Sequence, residues 1–179
     1  MPPLACRRLS AAAFADVRDL QSVLAAAPAY SLLVEGRPPA PTAADDLLAA
    51  LPPDKSHVDK FVFGFYDVSG PIGCADVIRG YPTAEVAFIG LLAFAEPEQG
   101  KSHGVRALRQ IEELAKSWGC TALRISVIET NPRALGFWRR EGFTELYRKP
   151  APHFTGQAIV MERAIGDPRG ASGSATADP

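Results

Sequence analysis

The sequence is poor in several things. Of its 179 residues only three are Cys, three His and two Met. Cys6, Cys74 and Cys120 are odd in number, widely spaced and unaccompanied by metal-ligand partners. That excludes a disulfide framework and a zinc site, and predicts reduced, partly buried thiols with no metal bound. No apolar run approaches the ~18 residues that a membrane span needs. Neither sign of charge is in excess: 19 Lys and Arg against 20 Asp and Glu leave a net charge of −1, with no basic stripe to hold nucleic acid. Arg7-Arg8-Leu9-Ser10 imitates a twin-arginine export signal, but Asp16, Arg18 and Asp19 cut off the apolar segment that follows. The expectation is a cytoplasmic protein with one domain over residues 1–165, since the length suits one core and is short for two. Residues 166–179, rich in Gly, Ala, Ser, Asp and Pro, read as a flexible tail.

What the sequence does have is a strand, a tight loop and a helix start in direct succession. Leu91-Leu92-Ala93-Phe94 ends in a Glu/Pro/Gln/Gly turn, and Val105, Leu108, Ile111, Ala115 and Trp118 then recur at helical spacing. The first N–H groups of a helix lack intrahelical partners and sit at the positive end of its dipole, so such a junction attracts phosphate. Gly100 and Gly104 let the backbone approach a ligand closely.

Around this junction the sequence predicts a strand over 4–9, then a helix over 11–26 capped by Ser10 and stopped by Pro28. A Pro-rich connection over 28–41 leads to a helix capped by Thr42 and ended by Pro52-Pro53. Strands over 60–68, 72–79 and 85–94 form a meander joined by tight turns. After the helix over 103–117 come a strand over 122–128, a helix opened by Asn131-Pro132, and strands over 143–148 and 157–164.

Two chemistries fit the loop. Ala95, four residues, then Gly100-Lys101-Ser102 fits a relaxed nucleotide P-loop pattern, in which Lys101 would reach terminal phosphates and Ser102 would hold Mg²⁺. The other reading rests on two motifs in order: Gln99-Gly100-Lys101-Ser102-His103-Gly104, and Asn131-Pro132-Arg133-Ala134-Leu135-Gly136-Phe137-Trp138-Arg139-Arg140-Glu141-Gly142-Phe143. They resemble the Gln/Arg-x-x-Gly-x-Gly/Ala loop and the Asn-x-x-Ala-x-x-aromatic-aromatic helix of the GNAT superfamily of N-acetyltransferases, with Ser102 where the family usually has its first Gly. The resemblance spans roughly residues 4–164.

The resemblance implies an α/β (α+β) fold: a mixed, mostly antiparallel sheet of about seven strands with a V-shaped splay, flanked by about four helices. It implies transfer of an acetyl group from acetyl-CoA to a primary amine of a small-molecule acceptor, by direct attack in a ternary complex. Leu92 and Phe94 would pair with the pantetheine arm as an added strand does. Gln99, Gly100, Lys101, Ser102, His103, Gly104 and Val105 would surround the pyrophosphate, and Asn131, Phe137 and Trp138 would complete the coenzyme site. Many members protonate the departing thiolate with a Tyr from the Asn-containing helix. This chain has Trp138 there, and an indole N–H is no general acid. Tyr81, Tyr66 and Tyr147 are candidate replacements, while Glu85, Asp76 and Glu129 are candidate bases. Tyr30, Leu32, Glu35, Tyr81 and Phe65 would line the acceptor pocket, with Arg37 in reach of a carboxylate. With its usual acid missing, the chain also fits a catalytically weak acyl-CoA-binding or regulatory module. The reading needs no nucleic acid or membrane partner and is compatible with a homodimer.

Overall fold

The computed structural model describes residues 4–166. The expected tail, apart from Gly166, lies outside the described residues. Seven strands form one sheet: β1 (Ala5–Arg8), β2 (Lys60–Asp67), β3 (Gly70–Arg79), β4 (Val86–Phe94), β5 (Ala122–Ile128), β6 (Thr144–Lys149) and β7 (Ala158–Ala164), in the order β1-β2-β3-β4-β5-β7-β6. Every pairing is antiparallel except β4 with β5, which the crossover helix makes parallel. Five helices accompany the sheet: α1 (Phe14–Ala25), α2 (Pro28–Glu35), α3 (Ala43–Ala49), α4 (His103–Ser117) and α5 (Pro132–Arg140).

Alternation along the strands sorts the two faces. Ala75, Val77, Ala87, Ile89, Leu123, Ile125 and Val127 turn toward α4 and α5, where Leu108, Ile111, Leu135 and Trp138 close the main core. Val62 and Cys74 turn the other way, against Leu20 and Val23 of α1 and Leu48 of α3. Phe65, expected in the acceptor pocket, is 1% exposed and stacks on Phe94 in the main core, with ring centroids 5.6 Å apart.

One helix was absent from the sequence expectation. Residues 28–35, read as part of a connection, form α2. Pro28 stops α1 but also occupies the first turn of α2, where its missing N–H costs nothing, and Gly36 ends the helix at φ 73°. The Ser10 cap is also corrected. α1 begins at Phe14 without a side-chain cap, and the Asp16 carboxylate instead accepts the Ser10 N–H at 2.9 Å. Thr42 likewise bonds Asp46 Oδ2 at 2.9 Å rather than a backbone amide.

The decisive feature for function is a register that stops. β4 pairs with β5 only from Val86↔Ala122 to Ile89↔Ile125, whereas β3 follows β4 as far as Phe94. From Gly90 onward, the β5-facing side of β4 has no partner strand. A bulge sits at the branch point: Asp76 faces Leu91 and Val77 faces Ile89, leaving Gly90 as the extra residue. A Cβ at Gly90 would lie 2.8 Å from Asp76 Oδ2, so glycine is what the Asp76 carboxylate leaves room for.

Candidate active site

The open V is bounded by β4 on one side and β5 on the other, and the phosphate-type loop starts where β4 ends. A 3-10 turn over Glu96–Glu98 leads to Gly100 at φ 79° and then to Ser102 at φ 62°, immediately before α4. Ser102 thus occupies a left-handed backbone position where L-residues are disfavoured by about 1–2 kcal/mol. Among the described residues, the N–H groups of Gly100 to Val105 donate to no protein acceptor, and the first such bond is Arg106 N to Ser102 O at 3.3 Å. Six successive amides at a helix N-terminus form an anion cradle.

The side chains around this cradle act mostly as its scaffold. Gln99 Nε2 donates to Phe94 O at 2.9 Å, and Gln99 Oε1 accepts from Arg133 Nη1 at 2.8 Å, clasping the end of β4 to α5. Phe94 therefore already has a donor on its carbonyl, while Leu92 lies on the stretch of β4 that β5 has left. Lys101 Nζ donates to Glu98 Oε1 at 2.9 Å with its side chain 54% exposed. His103 stacks on Phe94 and lies 3.3 Å from Glu98 Oε2. A Cβ at Gly104 would sit 3.3 Å from the Phe137 ring, so this glycine sets how closely α4 and α5 approach. Val105 is half-buried behind the cradle.

Asn131 Oδ1 caps α5 by accepting Ala134 N–H at 3.1 Å, and its amide Nδ2 donates to none of the described residues. Trp138 is 7% exposed and packs edge-on against Phe137 and Phe143, at 4.9 and 5.0 Å between centroids. It fills the main core, and a wall against pantetheine is not its principal place.

The candidate acids and bases separate along β4. Glu85 and Tyr81 lie in the turn leading into β4, at the closed end of the V. Glu85 is exposed there, its carboxyl held below its ordinary value by its own backbone N–H and Thr83, and Tyr81 lies against Phe88. Both precede the branch residue Gly90 in the chain and lie outside the strand pairings that flank it. Glu129 accepts Gln157 N–H at 2.9 Å and pairs with Arg148 at 3.3 Å, anchoring the end of β5 to the β6–β7 loop. Tyr66 Oη is held by Arg7 at 2.6 Å and Asp19 at 3.1 Å, and Tyr147 is 49% exposed on the outer strand β6.

Asp76 alone among the candidate bases stands at the branch. It faces α1 and α3, 6% exposed, and forms a buried ion pair with Lys60 Nζ at 2.9 Å. Burial pushes its carboxyl above the ordinary value, while Lys60 pulls it the other way. Lys60 was not singled out from the sequence, although a lone Lys and a lone Asp on facing apolar strands are a recognisable signal for such a pair.

The second missed element is the bridge made by α2. Glu96 N–H, just past β4, donates to Ala26 O at 2.9 Å, and Glu96 Oε1 accepts Ala29 N–H at 3.0 Å. At the other end, Leu33 O accepts from Thr155 Oγ1 at 2.7 Å and Thr130 Oγ1, just past β5, at 3.4 Å. α2, about 12 Å long, therefore crosses from one arm of the V to the other. Arg37, beyond it, pairs with Glu35 at 3.3 Å.

A sheet opened at one end by a bulge has a run of amides at the tip of one arm and a helix across the mouth. Residues 27–143 match the Acetyltransferase (GNAT) family, and the chain belongs to that family. The fold is similar to that of an acetyltransferase from Thermus thermophilus, at 25% identity, covering 92% of this chain and 100% of the other with a TM-score of 0.73. It is also similar to a GNAT family acetyltransferase from Elizabethkingia anophelis solved with acetyl-CoA bound (15% identity, 92% and 100% covered, TM-score 0.63). A third similar fold is the ribosomal-protein-S18-alanine N-acetyltransferase of Escherichia coli (15%, 97% and 99%, 0.62). β4 enters its loop from an antiparallel meander, which removes the parallel sheet that a nucleotide P-loop at Ala95–Ser102 would require. Among the described residues, no helix is long and apolar enough to cross a membrane.

Proposed function

We propose that the protein transfers the acetyl group of acetyl-CoA to a primary amine of a small-molecule acceptor, with both substrates bound together. The observation that carries this reading is the unpaired stretch of β4 running straight into six free amides. Leu92 and its neighbours hold the pantetheine arm by strand addition, and the Gly100–Val105 amides hold the pyrophosphate. Gln99 and Arg133 fix the loop, and Asn131 Nδ2 is free to donate to the coenzyme. The bound coenzyme supplies an activated thioester. Asp76 takes the proton that the attacking amine gives up, and Lys60 keeps the carboxylate oriented.

The acceptor meets the opposite face of the V under α2, beside Tyr30, while Leu32, expected in the pocket, is two residues on, 51% exposed and on the other side of the helix.

Thermal denaturation tests the coenzyme half. Acetyl-CoA at a hundred times its Kd is expected to add about 2.7 kcal/mol of stability, raising Tm by about 5–11 °C in a chain of this size. ATP with Mg²⁺ at equal concentration is expected to leave Tm unchanged. The reverse result would overturn the reading.

A further inference from the structure

The family's usual proton donor is missing, because Trp138 stands at its position and lies in the core. The chain has four tyrosines. Tyr66 is locked between Arg7 and Asp19, Tyr81 sits at the closed end of the V, and Tyr147 lies on the outer strand. Tyr30 is different on every count. It lies on α2, whose ends are tied to the two arms of the V, one helical turn before Val34, which is 1% exposed and packs against Ile128 of β5 and Ala158 of β7.

We propose that Tyr30 is the catalytic proton donor of this site, its hydroxyl giving a proton to the sulfur that departs from acetyl-CoA. This rests on the function proposed above. The residue is 37% exposed, yet desolvation is the leading influence on its hydroxyl. Tyr30 Oη has no hydrogen-bond partner among the described residues, so it is available to a ligand. Burial first, then Glu35 and Cys74, push its pKa up to about 12. The group therefore stays protonated at any working pH and serves as a donor and not as a base. Cys74 lies on β3 two residues from Asp76 and on the same face, and it pairs with Ala93 of the open arm of β4. Val34 packs on Ile128, whose neighbour Val127 faces the main core, so α2 and Asp76 lie on the same side of the sheet.

The protons balance. As the carbon–nitrogen bond forms and the carbon–sulfur bond breaks, the electron pair of the latter goes to sulfur. Tyr30 Oη gives its proton to that sulfur. Asp76 receives the proton released by nitrogen and returns it through solvent to Tyr30, so one proton passes from nitrogen to sulfur and none is consumed.

Tyr30→Phe removes only the hydroxyl and leaves Tm and acetyl-CoA affinity unchanged. Two readouts test the assignment. Free-thiol release from acetyl-CoA, with the best acceptor from a panel of amino-acid amides, aminoglycosides and polyamines, is expected to fall by about a hundredfold in kcat with the acceptor KM little changed. Independently of turnover, the ultraviolet thiolate absorbance of bound coenzyme A is followed against pH. A donated hydrogen bond stabilises the thiolate, so the bound thiol titrates about one pH unit lower in the wild type than in Tyr30→Phe. Identical thiolate titrations in the two proteins would overturn the proposal, as would unchanged kcat. Failure of the wild type to bind coenzyme A would instead bring down the proposed function, and this assignment with it.

Discussion

Ser102→Asp is expected to weaken acetyl-CoA binding by two to three orders of magnitude while leaving the fold as stable as before. The carboxylate would stand among the free amides of Gly100 to Val105, satisfying some of them and repelling the pyrophosphate. Loss of charge-assisted hydrogen bonds together with like-charge repulsion amounts to about 3–4 kcal/mol, which converts to that range of affinity. Stability moves the other way or not at all. Asp tolerates the left-handed backbone at φ 62° better than most residues and is favoured beside a helix N-terminus. Ser102→Gly is the control. It relieves the left-handed strain and keeps every amide, so acetyl-CoA affinity stays within about fivefold, the range of a single neutral hydrogen bond. Isothermal titration calorimetry with chemical denaturation on the three proteins separates binding from folding. An aspartate variant that binds as well as the wild type would mean that the pyrophosphate lies elsewhere.

Lys60→Met is expected to destabilise the protein by about 3 kcal/mol, because it leaves Asp76 buried without its cation. In a chain of this size that lowers Tm by about 6–12 °C. The double variant Lys60→Met/Asp76→Leu is expected to recover most of the loss, since replacing a whole buried pair with apolar groups is often neutral. The pH dependence has a definite sign. Burial raises the Asp76 carboxyl above its unfolded value, so its contribution is fully present below the unfolded pKa and is lost as pH rises through the folded one. Removing Lys60 deletes the influence that lowers it. The single variant should therefore lose more stability than the wild type between acid and neutral pH, measured by urea denaturation across that range. A Lys60→Met protein as stable as the wild type would show that the pair is solvated in solution.

The sequence made one arm of the site legible and hid the other. Leu91 to Gly104 could be read directly, because a strand, a turn and a helix start are local patterns and the cradle is made of backbone. Asn131 and the α5 helix were legible for the same reason. The choice among Glu85, Tyr81 and Asp76 was not, because the three lie near one another in sequence and differ in their position relative to the branch. That position depends on where the β4–β5 register stops, a pairing between segments more than thirty residues apart. α2 was hidden by Pro28, which marks a helix stop and a helix start equally well. Its anchors, Glu96, Thr130 and Thr155, are distant in sequence. Tyr30, on that helix, is consequently legible in the sequence only as part of a pocket wall. Trp138 was legible as a departure from the motif, and its burial against Phe143 shows that the position has been given over to packing.

In the proposed function acetyl-CoA lies along the free side of β4 with its pyrophosphate on the start of α4. The most direct test of this placement is the backbone amide NMR spectrum recorded during an acetyl-CoA titration. The largest shifts are expected at the amides of Gly100 to Val105 and along Gly90 to Phe94, with slowed hydrogen exchange at the same residues. Saturable binding that leaves those amides unmoved and shifts residues on another face of the molecule would contradict the account.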